Sequence, residues 1–281
     1  MRLHINETFL HNEGVRKDDS NHYIFDNKQD MEDDIIMLTT DTSGKEKTST
    51  GIEYYYGYEF NPKINSKQQT EFRSALKHDF NNPDVFYSEE ATDFVRNGLY
   101  RMDEMKRFNN FGAVISTADH YGDKTLTGMM CSLVWDEVPD DVPCYHIQLL
   151  KRMCNEVTFD EERARNALRN TKKYGNREKD VEDAITLLKN DFEKAKARGG
   201  LFKMKIYKPV VGRVGFIDFL KFANEHDQQF YETLKEGTEV LICEDFLTSG
   251  STVNEIIRFL NTINPNTKIS VFVLINQKRN Y

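Results

Sequence analysis

The sequence predicts an α/β fold in which a mostly parallel sheet is flanked by helices. Two observations carry this prediction. Short apolar runs alternate with helix-like stretches over much of the chain, and a long charged segment near 160–198 has the pattern of a helical insert. We therefore divide the chain into an N-terminal α+β extension at 1–95 and a main domain at 96–281.

The extension combines a hairpin pattern with helix patterns. Segments 34–39 and 52–60 are rich in β-branched and aromatic residues and flank a polar turn at 43–45, which predicts a β-hairpin. Segment 11–34 is crowded with Asn, Asp, Lys and Glu, and we expect it to be loop-like. From Ser66, apolar residues recur at helical spacing and predict two helices that lead into the main domain.

In the main domain, predicted strands and helices follow each other. Apolar runs predict strands that share one sheet at 113–116, 203–207, 239–243 and 269–275. Helices are predicted from about 124, through 219–230 and from about 250 to 260, and the insert is expected to stop at Gly199-Gly200.

Composition narrows the classes of function. At 281 residues and 38% hydrophobic content, the chain suffices for one sizeable core with an appended lobe. A formal net charge of -8 disfavours a nucleic-acid partner. The four cysteines lack the spacing of a zinc site or a disulfide framework. No apolar run has the length of a membrane span or a signal-peptide core, so we expect no membrane partner and a cytoplasmic location.

One motif combines groups that suit a sugar phosphate. The apolar run Val240-Leu241-Ile242 leads to the carboxylates of Glu244 and Asp245, which we expect to lie solvated at the end of a parallel strand. A loop of small hydroxyl residues around a glycine follows and opens a helix: Thr248, Ser249, Gly250, Ser251 and Thr252. Backbone N–H groups and hydroxyls of such a loop can bind a phosphate. The carboxylates suit ribose hydroxyls and a hydrated Mg²⁺. The alternative is an ordinary helix start after a buried strand.

At these residues the sequence resembles the type I phosphoribosyltransferases, and the version of the motif is most similar to that of the orotate enzymes. The resemblance implies that Glu244 and Asp245 hold the ribose hydroxyls of phosphoribosyl pyrophosphate (PRPP) and that Thr248 to Thr252 hold its 5-phosphate. It implies Mg²⁺ as cofactor, bound through the ligand and water near the acid pair rather than by the protein directly. It is compatible with a homodimer.

A second loop occupies the place of the family's pyrophosphate loop. Thr117, Ala118, Asp119 and His120 follow the first predicted core strand, and Lys124 begins the next helix. The correspondence is one of position rather than of letters, so a plain surface loop is the alternative.

The sequence also departs from the family. The lysine- and histidine-bearing mobile loop of orotate enzymes and the purine-contacting aspartate of hypoxanthine enzymes are both missing, so the acceptor is an unidentified base or amine. Three basic residues are candidates for a lid over the pyrophosphate, with a solvated charged face as the alternative: Lys205, Lys208 and Arg213.

No catalytic residue stands out. Two functions follow: an enzyme that transfers phosphoribosyl with release of pyrophosphate, or a non-catalytic protein that binds PRPP or a nucleotide and regulates.

Overall fold

A computed structural model describes residues 14–26, 34–38, 44–47, 51, 53–79, 82, 84–86, 90–106, 111–116, 125–136 and 144–277. The strands are β1 (Gly14–Lys17), β2 (Tyr23–Asp26), β3 (Ile36–Leu38), β4 (Lys45–Lys47), β5 (Glu53–Phe60), β6 (Phe111–Ser116), β7 (Tyr145–Lys151), β8 (Thr158–Phe159), β9 (Phe216–Ile217), β10 (Leu220–Phe222), β11 (Glu239–Leu247) and β12 (Lys268–Asn276). The helices are α1 (Ser66–His78), α2 (Glu90–Lys106), α3 (Leu126–Asp136), α4 (Glu161–Arg169), α5 (Glu178–Arg198), α6 (Glu225–Glu232) and α7 (Ser251–Ile263).

Ten of the described strands form one sheet in the order β10-β7-β6-β11-β12-β5-β3-β1-β2, with β4 beside β5. The five central strands, from β7 to β5, are parallel. Antiparallel strands complete both edges. The prediction of a mixed α/β fold around a mostly parallel central sheet is confirmed in this form.

Alternation along the strands gives the sheet two apolar faces, because successive residues of a strand point to opposite sides. In β11, Val240 and Ile242 pack with α5, α6 and α7, whereas Leu241 and Cys243 pack with α1, α2 and α3. All four side chains are fully buried. Helices therefore cover both faces of the sheet, as parallel strands require.

The N-terminal strands belong to this sheet. Strand β5 pairs antiparallel with both β3 and β4. Strand β4 begins at Lys45, the last residue of the predicted turn, so 34–39 and 52–60 are not joined by a simple hairpin turn. On its other side β5 pairs in parallel with β12, so the extension continues the sheet of the main domain. The loop-like interpretation of 11–34 is wrong for Gly14–Asp26, because β1 and β2 pair there as a hairpin.

Three further predictions differ from the structure. The predicted strand at 203–207 is a 3₁₀ turn at Met204–Ile206, because burial recurs at Met204 and Tyr207 rather than at every second residue. The predicted helix through 219–230 is strand β10 followed by α6, which starts at an Asn224 cap. Strand β7 was not predicted at all. The insert is helical as expected, and α5 stops at Gly199, whose φ of 71° suits glycine.

Candidate phosphoribosyl site

The order of the strands reverses between β6 and β11. From β6 the chain crosses through α3 to β7 on one side, whereas from β11 it crosses through α7 to β12 on the other. In an open α/β sheet, the crevice at the carboxyl ends of two such strands is where ligands bind. The loop at 248–250 follows β11 at this point, so the fold brings the predicted phosphate loop to the edge where a site is expected.

The loop between β11 and α7 is small and turns sharply. Gly250 has a φ of 69°, a left-handed conformation that glycine adopts without steric cost, and it stands at the N-terminus of α7. The hydroxyls of Ser249 and Ser251 lie 2.8 Å apart, and the Ser251 amide donates to Ser249 Oγ at 3.4 Å. Thr248 and Thr252 are half-buried on either side.

The N-terminus of α7 has the properties of an anion site. The N-cap residue, Gly250, makes no side-chain capping hydrogen bond, and the Ser251 amide has only the long contact to Ser249 Oγ among the described residues. The first backbone N–H groups of a helix have no partner within it, and the helix dipole adds partial positive charge at the same end. A phosphate held in the loop would accept from these groups.

The two carboxylates of the motif lie within the strand rather than after it, because β11 extends to Leu247 instead of ending at 243. Glu244 is half-buried. Asp245 is 7% exposed, and its Oδ2 lies 2.6 Å from the Lys77 ammonium of α1. Its Oδ1 accepts from the Phe246 amide at 2.6 Å. The expectation that both carboxylates are solvated is therefore wrong for Asp245.

A lysine at the end of β7 adds charge to the same edge. Burial lowers the pKa of Lys151 to about 8, with repulsion from Lys77 and Lys205 in the same direction. Attraction to Glu244 and, more weakly, to Asp245 acts against this lowering of the pKa. The end of β7, the 3₁₀ turn at 204–206, α1 and the acid pair of β11 are therefore close enough to interact electrostatically.

Strand β6 ends beside this group. Its last residue, Ser116, is in register with Cys243 of β11. The Ser116 hydroxyl is hydrogen-bonded to His146 Nε2 at 3.2 Å. The predicted pyrophosphate loop, Thr117 to His120, and Lys124 lie outside the described residues. Their assignment stays a prediction, supported by the position where β6 ends.

The lid candidates have different surroundings. Lys205 and Lys208 are exposed. Arg213 is half-buried, and its guanidinium donates to the carbonyls of Tyr207 and Lys205 at 2.7 and 2.8 Å. These contacts close the turn that carries both lysines. The lid role of the three residues stays a prediction.

Lys77 and Lys151 were missed by reasoning from the sequence. For Lys151 a signal existed in the sequence, because the apolar Ile147 and Leu149 alternate with polar residues, as in a strand. In β7 both of these side chains are buried. For Lys77 no local signal exists. It lies in the last turn of α1, where a basic residue is ordinary, and its partner Asp245 is distant in sequence.

Residues 221–281 match the family model of the phosphoribosyl transferase domain. The match covers α6, β11, the hydroxyl-glycine loop, α7 and β12, and it confirms the resemblance that the motif suggested. It supports a transferase of the phosphoribosyltransferase kind, for which PRPP is the substrate that the domain implies. No curated protein matches the chain.

Two kinds of feature are absent from the part of the chain that the structure describes. Within the described ranges, no group of three or more His, Cys, Asp or Glu side chains is arranged to hold a metal ion. The same ranges contain no helix with the length and apolar character needed to cross a bilayer.

Proposed function

We propose that the protein transfers the phosphoribosyl group of PRPP, with Mg²⁺, to a nitrogen of a base or amine and releases pyrophosphate. One observation carries the proposal: the hydroxyl-glycine loop at the N-terminus of α7 lies at the carboxyl end of β11, beside β6, where the strand order reverses. The family match over this segment supports the same chemistry.

The residues fall into two groups according to the part of PRPP that they would bind. Thr248, Ser249, Ser251 and Thr252, with the backbone around Gly250, would bind the 5-phosphate. Glu244 and Asp245 would accept hydrogen bonds from the ribose hydroxyls. The sugar would then lie across the end of β11, with its pyrophosphate towards β6 and the loop that follows it.

Glu244 fits a Mg²⁺ ion that arrives with PRPP, because a half-buried carboxylate near the carboxyl end of a strand can accept from the water shell of the ion. Mg²⁺ would neutralise the charge of the leaving pyrophosphate. In the reaction, the bond from ribose C1 to the pyrophosphate oxygen breaks and a bond from C1 to the acceptor nitrogen forms. The acceptor loses a proton, and the protein contributes mainly orientation and electrostatic stabilisation.

Lysines on three elements support an anionic ligand. Lys77, Lys151 and Lys205 interact electrostatically near the acid pair, although the chain as a whole is acidic. Concentrating positive charge at one edge of a negatively charged molecule favours a polyanion at that edge. PRPP carries its charge at both ends, which suits a site with the α7 N-terminus on one side and lysines on the other.

The test is calorimetry with PRPP and Mg²⁺, followed by measurement of pyrophosphate release with a panel of purines, pyrimidines and amines. Binding and turnover with one acceptor would support the enzyme. Tight binding without turnover for any acceptor would favour the second function, a non-catalytic protein that senses PRPP or a nucleotide. No binding of PRPP or nucleotides would contradict both.

A further inference from the structure

Helix α1 of the N-terminal extension is fastened to the carboxyl ends of β11 and β12. Its N-terminus is fixed by a capping box in which the Asn65 side chain accepts from the Gln68 amide and the Gln68 side chain accepts from the Asn65 amide. Its last turn presents Lys77 to Asp245, with 2.6 Å between Nζ and Oδ2. The side chains of this ion pair are 28% and 10% exposed, so water screens it only in part.

A second set of contacts fixes the position of the helix beside the strand ends. Arg73 donates to Gln277 Oε1 at 2.9 Å, and Gln277 Nε2 donates to Gln69 Oε1 at 3.0 Å. The Gln277 backbone amide donates to the Leu247 carbonyl at 3.1 Å. The cations of Arg73 and Lys77 also lie 5.1 and 5.5 Å from the centre of the Phe246 ring, within cation–π range.

The ion pair determines the orientation of the Asp245 carboxylate. Each carboxylate oxygen has two acceptor sites. One site on Oδ1 is taken by the Phe246 amide, and one on Oδ2 by Lys77. With both oxygens held, the acceptor sites that remain point in fixed directions. Binding of a ligand hydroxyl to them therefore costs little conformational entropy of the Asp245 side chain.

Lys77 also affects the electrostatics beyond its partner. The charged groups that act on Lys151 come from three elements: Glu244 and Asp245 of β11, Lys77 of α1 and Lys205 of the 3₁₀ turn. Lys77 repels the Lys151 ammonium directly, and it neutralises Asp245, which attracts Lys151. Both effects make Lys151 easier to deprotonate.

We propose that Lys77 is a positioning residue of the phosphoribosyl site, through which helix α1 of the extension holds the Asp245 carboxylate and adds positive charge beside the acid pair. This inference rests on the proposed function. It makes the extension a part of the site instead of a separate lobe. It assigns α1 a direct role in PRPP affinity, although α1 lies outside the segment that matches the family.

The experiment compares PRPP binding, with Mg²⁺, by the parent protein and by Lys77→Met, Lys77→Arg and Lys67→Met across pH 6.5–9.5. Lys67 is the matched control, since it is an exposed lysine on the same helix that pairs with Glu71. We expect Lys77→Met to weaken binding about tenfold or more, equivalent to the loss of one charge-assisted contact. We expect Lys77→Arg and Lys67→Met to stay within about threefold of the parent, less than the loss of such a contact.

The pH profile separates positioning from a merely structural role. The Lys151 ammonium should favour the anionic ligand, so we expect PRPP affinity to decline as Lys151 loses its proton at alkaline pH. With Lys77 gone, Lys151 keeps its proton to higher pH, and this decline should move to higher pH in Lys77→Met. If that variant is too unstable to assay, Lys77→Gln removes the charge but keeps a donor for Asp245, and it should bind PRPP more weakly than Lys77→Arg.

Two results would overturn the inference. In the first, Lys77→Met binds PRPP as tightly as the parent or more tightly, as expected if Lys77 merely blocks Asp245. In the second, its alkaline decline is unmoved. Failure of the parent protein itself to bind PRPP would overturn the proposed function and this inference together, whereas a binding parent with an unaffected Lys77→Met would leave the proposed function standing.

Discussion

The hydroxyls of Ser249 and Ser251 lie 2.8 Å apart across Gly250, the residue at which the chain turns from β11 into α7. This hydrogen bond closes the loop upon itself without a large side chain. Gly250 itself is buried, and the first N–H groups of α7, from which a phosphate could accept, follow it directly. The proposed phosphate binding therefore depends on this loop more than on any single side chain.

Gly250→Val should abolish PRPP binding, because a branched side chain would obstruct the approach of the phosphate to the backbone. Its left-handed φ should also cost about 1–2 kcal/mol of unfolding free energy. The matched control is Gly237→Val, since Gly237 has a φ of 78° and no neighbouring atom within 4 Å of an added Cβ. Urea unfolding should show a loss in Gly250→Val at least as large as in Gly237→Val, because Gly250 is also buried, and calorimetry measures PRPP binding by both variants. A Gly250→Val protein that binds PRPP normally would contradict the phosphate role.

Separate alanine variants should distinguish the two acids of β11. Glu244→Ala should weaken PRPP binding and cost less stability than Asp245→Ala, because the Glu244 side chain is the more exposed of the two. Asp245→Ala should weaken binding and also cost about 1–3 kcal/mol of stability, because Lys77 and the Phe246 amide lose their partner. Thermal unfolding and calorimetry on both variants measure this difference. Equal stability of the two variants would show that the Lys77–Asp245 pair adds nothing to the fold.

Lys151 should make a contribution to stability that increases with pH above about 8. Its folded pKa of about 8 lies below the ordinary 10.5, so between these values the unfolded chain holds more protons than the folded one. Unfolding free energy then increases with pH through that window. In urea titrations from pH 7.5 to 10.5, Lys151→Met should show a smaller rise than the parent. The exposed Lys221 of β10 provides the control, and Lys221→Met should keep the parent's slope.

In the turn that carries the lid candidates, we expect Arg213 to be structural and Lys205 and Lys208 to contact the ligand. Arg213→Ala should lower stability by about 1–3 kcal/mol, because the carbonyls of Tyr207 and Lys205 lose a charged donor. Lys205→Ala/Lys208→Ala should leave stability within about 0.5 kcal/mol, as exposed positions do, and should weaken PRPP binding. Chemical unfolding and calorimetry test both. Unchanged PRPP affinity in the double lysine variant would assign those lysines to the solvated surface.

The elements of the candidate site could be predicted from the sequence where the signals for them are local. An apolar run, a glycine at a sharp turn and an amphipathic helix follow one another within 240–260, and each constrains the chain over only a few residues. The same holds for the helical insert, whose end at Gly199 depends on one positive φ. The prediction of a strand at 203–207 was wrong for a related reason. Its alternation of apolar and charged residues also fits a turn, in which Met204 and Tyr207 are buried and Ile206 is 50% exposed.

Contacts between distant segments could not be predicted from the sequence. Lys77 reaches Asp245 only because β5 inserts beside β12 and brings α1 over the strand ends. Lys151 depends likewise on β7 lying two strands from β11. The choice of these neighbours follows from the packing of the whole sheet, and periodicity in one segment carries no information about it.

Strand β12 has β5 as its outer neighbour, hydrogen-bonded from Phe272 to Asn276. A chain shortened to begin after Phe60 would leave this row of backbone N–H and C=O groups without partners on a strand that is almost wholly apolar. An uncovered edge of that kind templates association with further chains. Fragments built around the family-matched segment alone are therefore expected to aggregate, and recombinant work on the activity should retain the first sixty residues or supply β5 as a separate peptide.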